Sequence, residues 1–110
     1  MSLKKKKQQS NSEIQKKVQK GYAPSFSPDF KADLLWWYRN EPKKGDKIMD
    51  LIADILDGDP FRGIGKPEPL KYIAANTWSR RIDLENRLVY KVQDNKVYFL
   101  QARYHYQKNN

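Results

Sequence analysis

RLVYKVQDNKVYFLQARY, residues 87–104, alternates in two runs separated by Asp94-Asn95. In the first run Leu88, Tyr90 and Val92 fall on one phase, and Arg87, Val89 and Lys91 on the other. That two-residue period is the signature of a strand with one buried face. Asp94-Asn95 suits a two-residue hairpin turn. After it Val97, Phe99, Gln101 and Arg103 share one phase, and Tyr98, Leu100, Ala102 and Tyr104 the other. Trp78-Ser-Arg-Arg-Ile82 alternates upstream. Three strands on short links predict an antiparallel meander, with one face covered and one left for solvent or ligand. On this reading Arg87, Lys91 and Arg103 share the uncovered face.

The cover is predicted further upstream. Ser27-Pro28 supplies an N-cap hydroxyl and a proline at the first helical position, and Asp29 suits the positive end of the helix dipole. Phe30, Leu34 and Trp37 recur at helical spacing, with Leu35 and Tyr38 widening the stripe, until Asn40-Glu41-Pro42 ends the helix. A second helix fits Lys44 to about Asp57, burying Ile48, Leu51, Ile52, Ile55 and Leu56; Gly58-Asp59-Pro60 stops it. Tyr22 to Ser27 reads as a short leading strand, placed at an edge because Pro24 has no N–H to donate. Residues 60–70, PFRGIGKPEPL, hold two glycines and three prolines and read as a tight, shaped loop. The fold class is therefore α+β, a small twisted antiparallel sheet with two N-terminal helices on one face.

The remaining composition narrows the function. Residues 1–20 carry seven lysines and one glutamate, with only Leu3, Ile14 and Val18 as sizeable apolar side chains after Met1. Ordering such a stretch costs roughly 1–2 kcal/mol per residue with little burial to offset it. It is expected to be a disordered basic arm, leaving residues 21–108 as the folded domain. Residues 21–61 carry five basic and eight acidic groups, whereas residues 62–110 carry ten basic and four acidic. A basic half beside an acidic one points to a polyanion, nucleic acid first, although a plain solvated surface gives the same count. The chain has no cysteine, which excludes disulfides and cysteine-ligated zinc, and its one histidine cannot build a histidine-rich metal site. No metal site is assigned and no cofactor is called for. Without an apolar run of membrane-spanning length the chain is expected in the cytoplasm and away from membranes.

Several side chains carry candidate chemistry. His105 is the sole group whose unperturbed pKa lies near neutrality, and it can protonate a leaving oxygen; a surface histidine near a terminus reads equally well. Tyr106 can position phosphate, stack on a base or simply end the strand. Glu68, framed by Pro67 and Pro69, is a carboxylate held in place and a candidate general base, or else a solvated turn residue. Arg80, Arg81 and Arg87 are fixed forks of donors suited to phosphate, or ion-pair partners of Asp83 and Glu85. Together they form a kit for cleaving RNA without metal: a carboxylate deprotonates the ribose 2′-OH, arginines stabilise the phosphorane-like transition state, and an imidazolium helps the 5′-oxygen leave. DNA lacks the hydroxyl and would be inert.

GKPEPLK (65–71), WSRRI (78–82), ENRLVY (85–90) and RYHY (103–106) together resemble the YoeB/Txe toxins of bacterial type II toxin–antitoxin systems, within the RelE-like group. The resemblance runs from about Phe26 to Tyr106. It implies a RelE-like, microbial-RNase-like fold and an mRNA interferase that cuts in the A site of the 70S ribosome. It further implies Glu68 as general base, Arg87 as phosphate or transition-state group, His105 as general acid and Tyr106 as positioning group. Arg81 assists, and Lys66, Lys71, Arg80 and Arg103 are expected to bind RNA. An acidic antitoxin of the YefM/Phd type is the implied partner, and toxins of this kind also form homodimers. Position 72 is tyrosine where some members carry histidine, and both the basic arm and Gln107–Asn110 are additions. Two rival readings stand beside this one: a non-catalytic RNA- or ribosome-binding module, and a protein–protein adaptor whose charge serves solubility.

Overall fold

The computed structural model describes residues 21–104, so the expected arm, together with His105 and Tyr106, lies outside the described residues. Strand β1 (Ala23–Phe26) leads into helix α1 (Pro28–Asn40) and helix α2 (Pro42–Ala53), which continues as a single π-helical turn over Asp54–Gly58. Four more strands follow: β2 (Glu68–Pro69), β3 (Thr77–Arg81), β4 (Arg87–Gln93) and β5 (Lys96–Gln101). They form one five-stranded sheet in the order β1-β5-β4-β3-β2.

The local signals act as their chemistry predicts. The Ser27 side chain accepts the Phe30 N–H at 3.0 Å, and Pro28 and Asp29 occupy the first turn of α1. Asp94, in the left-handed conformation at φ 57°, makes the two-residue turn between β4 and β5. Long-range contacts then assemble the core. Phe30 and Trp37 of α1 and Ile48, Leu51 and Ile52 of α2 pack on Leu88, Tyr90, Val92, Val97 and Phe99 of the sheet. Burying each large aliphatic or aromatic side chain contributes about 1.5–3 kcal/mol, which is where most of the fold's stability resides. Helix α1 also grips one peptide of the last strand's exit: the Trp37 indole N–H donates to the Ala102 carbonyl at 2.6 Å, and Asp33 accepts the Ala102 N–H at 2.9 Å.

Three features differ from the sequence reading. First, the sheet is mixed, because β1 pairs with β5 in parallel, setting Phe26 beside Phe99 with their rings stacked at 5.2 Å. Second, the 60–70 loop contains a two-residue strand: Glu68 pairs with Ser79 and Pro69 with Trp78. Third, a bulge in β5 breaks the alternation, since Tyr90 pairs with Phe99 but Val89 pairs with Gln101. The extra residue returns Gln101 to the uncovered face and drops Ala102 into the core, fully buried. Arg103 is therefore not aligned with Arg87 and Lys91; its guanidinium lies 3.6 Å over the ring of Trp36 on α1.

Arg80 requires a larger correction. It is fully buried, and each of its five N–H donors has a partner. Nε donates to the Tyr90 hydroxyl at 3.1 Å, Nη1 to Asp54 and to the Ile64 carbonyl, and Nη2 to the carbonyls of Asp59 and Arg62. The Tyr90 hydroxyl passes its own proton to the Pro60 carbonyl at 2.6 Å. Arg80 is thus the pin that ties the 59–64 loop to the sheet, and it is not available to RNA. Gly63 fits around this pin with φ +135°; a Cβ there would clash with the Asp54 carboxylate.

Candidate functional site

Directly paired residues on neighbouring strands point to the same face of a sheet, so the register assigns the uncovered face residue by residue. One row across the sheet is Glu68, Ser79, Val89 and Gln101, on β2, β3, β4 and β5. On one side of it lies the row Thr77, Lys91 and Tyr98; on the other, Arg81 directly faces Arg87. Glu68 stands two strands across and two residues along from Arg87, about 12 Å between Cα positions by strand geometry. A carboxylate and two guanidiniums reaching inward from such positions can meet on one phosphate.

The facing arginines carry the strongest electrostatic signal. Like charges directly opposite on adjacent strands repel, so the pair is held by something other than mutual attraction. For Arg87 the geometry supplies the answer. Its Nη1 donates to the carbonyls of Asp83, Leu84 and Asn86, at 2.9, 3.2 and 3.2 Å. One corner of the guanidinium is spent on the preceding turn. Among the described residues nothing pairs with Nε or Nη2, and the side chain is largely buried. A cation fixed on one edge, with no described partner on the other, can take an anion. Arg81 is half-buried, and its backbone N–H donates to the Gly65 carbonyl at 2.7 Å. That bond anchors the 65–68 segment, with Gly65 and Lys66 in positive-φ conformations, beside the two arginines.

The turn that holds Arg87 is itself built on a carboxylate. Asp83 accepts the backbone N–H groups of Glu85 and Asn86, at 2.8 and 2.7 Å, and an ion pair from Lys44 of α2 at 2.7 Å. Burial alone would raise the Asp83 carboxyl; the hydrogen bonds from Lys44, from these two amides and from the Asn86 side chain outweigh it and hold the pKa at about 2. Because the folded value lies below the ordinary 3.8, this group stabilises the fold above about pH 4 and loses that contribution as pH falls from about 4 to about 2. Urea titrations across that window should show stability falling with acid, and the fall should be shallower in Asp83→Asn.

The sequence candidates thus separate. Glu68, Arg81 and Arg87 converge on one face. Lys66 and Lys71 are exposed at the ends of the β2 segment, placed to flank that face. Arg80 and Arg103 are diverted, the first to the loop pin and the second to Trp36. His105 and Tyr106 lie outside the described residues; the described chain ends at Tyr104, whose carbonyl accepts the Arg87 N–H at 3.2 Å. Sequence reasoning missed Gln101, whose face depends on the bulge, and the Asp83–Asn86 turn, for which the Asp-x-x-Asn spacing was an available signal. Among the described residues no group of three or more His, Cys, Asp and Glu side chains could hold a metal ion, and no helix is long and apolar enough to cross a membrane.

Comparison with known proteins adds a family to this geometry. Residues 26–106 match the family described as YoeB-like toxin of bacterial type II toxin-antitoxin system. The toxin YoeB of Mycobacterium bovis is 50% identical over 82 residues, covering 74% of this chain and 95% of that protein. Among solved structures, the YoeB dimer from Staphylococcus aureus superposes with a TM-score of 0.70 at 39% identity, covering 77% of this chain and 98% of the other. The YoeB-YefM complex from the same organism gives 0.68 at 38% identity, with the same coverage.

Proposed function

Since the chain belongs to the YoeB-like toxin family of bacterial type II toxin–antitoxin systems, we propose that it is an endoribonuclease, an mRNA interferase that cuts message in the A site of the 70S ribosome. The observation that carries this reading is the facing pair Arg81 and Arg87 with Glu68 on the same side of the sheet. Glu68 takes the proton of a ribose 2′-OH. The 2′-oxygen bonds to the adjacent phosphorus, the P–O5′ bond breaks, and the products are a 2′,3′-cyclic phosphate and a 5′-hydroxyl. Arg87, assisted by Arg81, bears the extra negative charge of the phosphorane-like transition state. His105 returns a proton to the departing 5′-oxygen, and Tyr106 positions the nucleotide. Lys66 and Lys71 hold the flanking backbone, a contribution that weakens with salt. Each proton and each developing charge is assigned to a side chain, so the scheme draws on no cofactor.

The partner is an antitoxin. By analogy with the Staphylococcus aureus YoeB-YefM complex, an acidic YefM-type segment covers the basic face and blocks it, and by analogy with the YoeB dimer the chain self-associates. The site of action is the cytoplasm, where ribosomes are.

The test is to incubate the full chain with translating ribosomes on a defined message and to map new 5′ ends. Cuts confined to the codon in the A site, and absent from free message, are expected. Message left intact at one protein per ribosome would remove the enzyme, and message bound but uncut would establish the binding module instead.

A further inference from the structure

The backbone just ahead of His105 is strained and fastened. Tyr104 has φ 62°, one of four non-glycine residues at positive φ among those described. Such a conformation is costly for a side chain with a Cβ and persists where its surroundings over-determine it. Here two bonds hold it: the Tyr104 N–H donates to Asn86 Oδ1 at 2.6 Å, and the Tyr104 carbonyl accepts the Arg87 N–H at 3.2 Å. Two residues earlier, Ala102 is gripped on both sides of its backbone by Trp37 and Asp33.

Asn86 joins this fastening to the phosphate-facing arginine. Its Nδ2 donates to both Asp83 carboxylate oxygens, at 3.1 and 3.3 Å, which leaves its Oδ1 as the acceptor for Tyr104. Its main-chain carbonyl receives Arg87 Nη1 and also the Ile82 N–H, at 3.2 and 2.9 Å. One side chain therefore spans the turn that pins Arg87 and Tyr104, the last described residue. An amide is the group that can do this, because it donates toward a carboxylate on one side and accepts from an N–H on the other.

We propose that Asn86 is a positioning residue: tied to Asp83 on one side and to Tyr104 on the other, it fixes the 83–86 turn whose carbonyls pin Arg87, and so aims the guanidinium's remaining edge at the scissile phosphate. This rests on the cleavage reading above. Asn86 touches no reacting atom and works through Arg87. Misplacing a catalytic group by an ångström costs roughly 10²-fold in rate, so that loss is expected of Asn86→Ala at saturating ribosomes, with the half-saturating ribosome concentration unchanged. Asn86→Asp should also be slow, because it sets a second carboxylate against Asp83. Adding Asp83→Asn to that variant restores a donor facing an acceptor and should recover part of the rate.

The experiment measures single-turnover cutting and ribosome half-saturation for the full chain and these three variants, together with amide exchange at Tyr104. Slow cutting at unchanged affinity, and rescue by the swapped pair, are expected. Folded Asn86→Ala cutting at the unmutated rate would overturn the assignment. If that variant does not fold, the swapped pair decides: a double variant no faster than Asn86→Asp alone overturns it too. Should the unmutated chain cut nothing, the cleavage reading fails separately, and Tyr104 exchange then judges the fastening. Protection lost in the variants upholds it, and a Tyr104 amide unprotected in the unmutated chain sinks it.

Discussion

Arg80→Met is expected to destabilise the chain by about 3–5 kcal/mol, chiefly the cost of leaving buried backbone carbonyls and the Tyr90 hydroxyl without their donor, with the partly exposed Asp54 contributing less. For a domain of this size that is a large part of the total stability, and unfolding at ordinary temperature is a natural outcome. Methionine fills nearly the same space, so the loss isolates the five hydrogen bonds and the charge. Asp54, the Tyr90 hydroxyl and the carbonyls of Asp59, Arg62 and Ile64 would all lose their donor together. Arg80→Lys restores the charge with three donors instead of five and should fall between. Urea denaturation followed by tryptophan fluorescence measures both. A loss within the ordinary range of surface substitutions, about 0.5 kcal/mol, would show that the loop is held by something else.

Glu68→Gln is expected to lower the single-turnover cleavage rate by roughly 10²–10⁴-fold, the range for removing a general base. Arg87→Met should lower it by roughly 10²–10³-fold, as for one preorganised donor to a developing oxyanion. Neither should alter ribosome affinity much, since the exposed lysines supply most of the attraction to backbone phosphate. The two differ in their side effects. The Glu68 side chain is exposed and makes no hydrogen bond to another described residue, so its variant should keep its full stability. Arg87 braces the Asp83–Asn86 turn through three carbonyls, so its variant should also unfold more readily. A Glu68→Gln protein that cuts at the unmutated rate would remove Glu68 from the chemistry while leaving the family assignment intact.

These residues also show how far sequence reasoning reaches. Helix caps, the Asp94-Asn95 turn and the two-residue period depend on neighbours along the chain, so they are legible without a structure. The partner of β1 is chosen by stacking of Phe26 on Phe30 and Phe99, a contact across more than seventy residues, and no local pattern announces that it runs parallel. The bulge in β5 is equally silent: one unpaired residue changes no composition, yet it moves Gln101 to the open face and Ala102 to the core.

Arg80 is the instructive case, because its signal was present. Within Trp78-Ser-Arg-Arg-Ile82 the phase of Trp78 and Ile82 is also the phase of Arg80, whereas Arg81 shares the phase of Ser79. Alternation therefore separates the buried arginine from the one on the open face in adjacent positions. Its charge argued the other way, since a guanidinium is expected to be exposed unless paired, and its partner Asp54 lies in another element. The candidate site was legible as residue types in four short blocks. Its convergence depended on register, which places Glu68 beside Ser79 and Arg81 opposite Arg87.

The proposed chemistry would leave a mark on its product. On the proposed mechanism, attack by the 2′-oxygen, with Glu68 and Arg87 acting from one face of the sheet, would yield fragments ending in a 2′,3′-cyclic phosphate and beginning with a 5′-hydroxyl. Mass spectrometry of the fragments released from ribosomes by the unmutated chain reads those ends directly. Cyclic phosphate and 5′-hydroxyl ends are the predicted result; 3′-hydroxyl and 5′-phosphate ends, or no fragments at all, would contradict it.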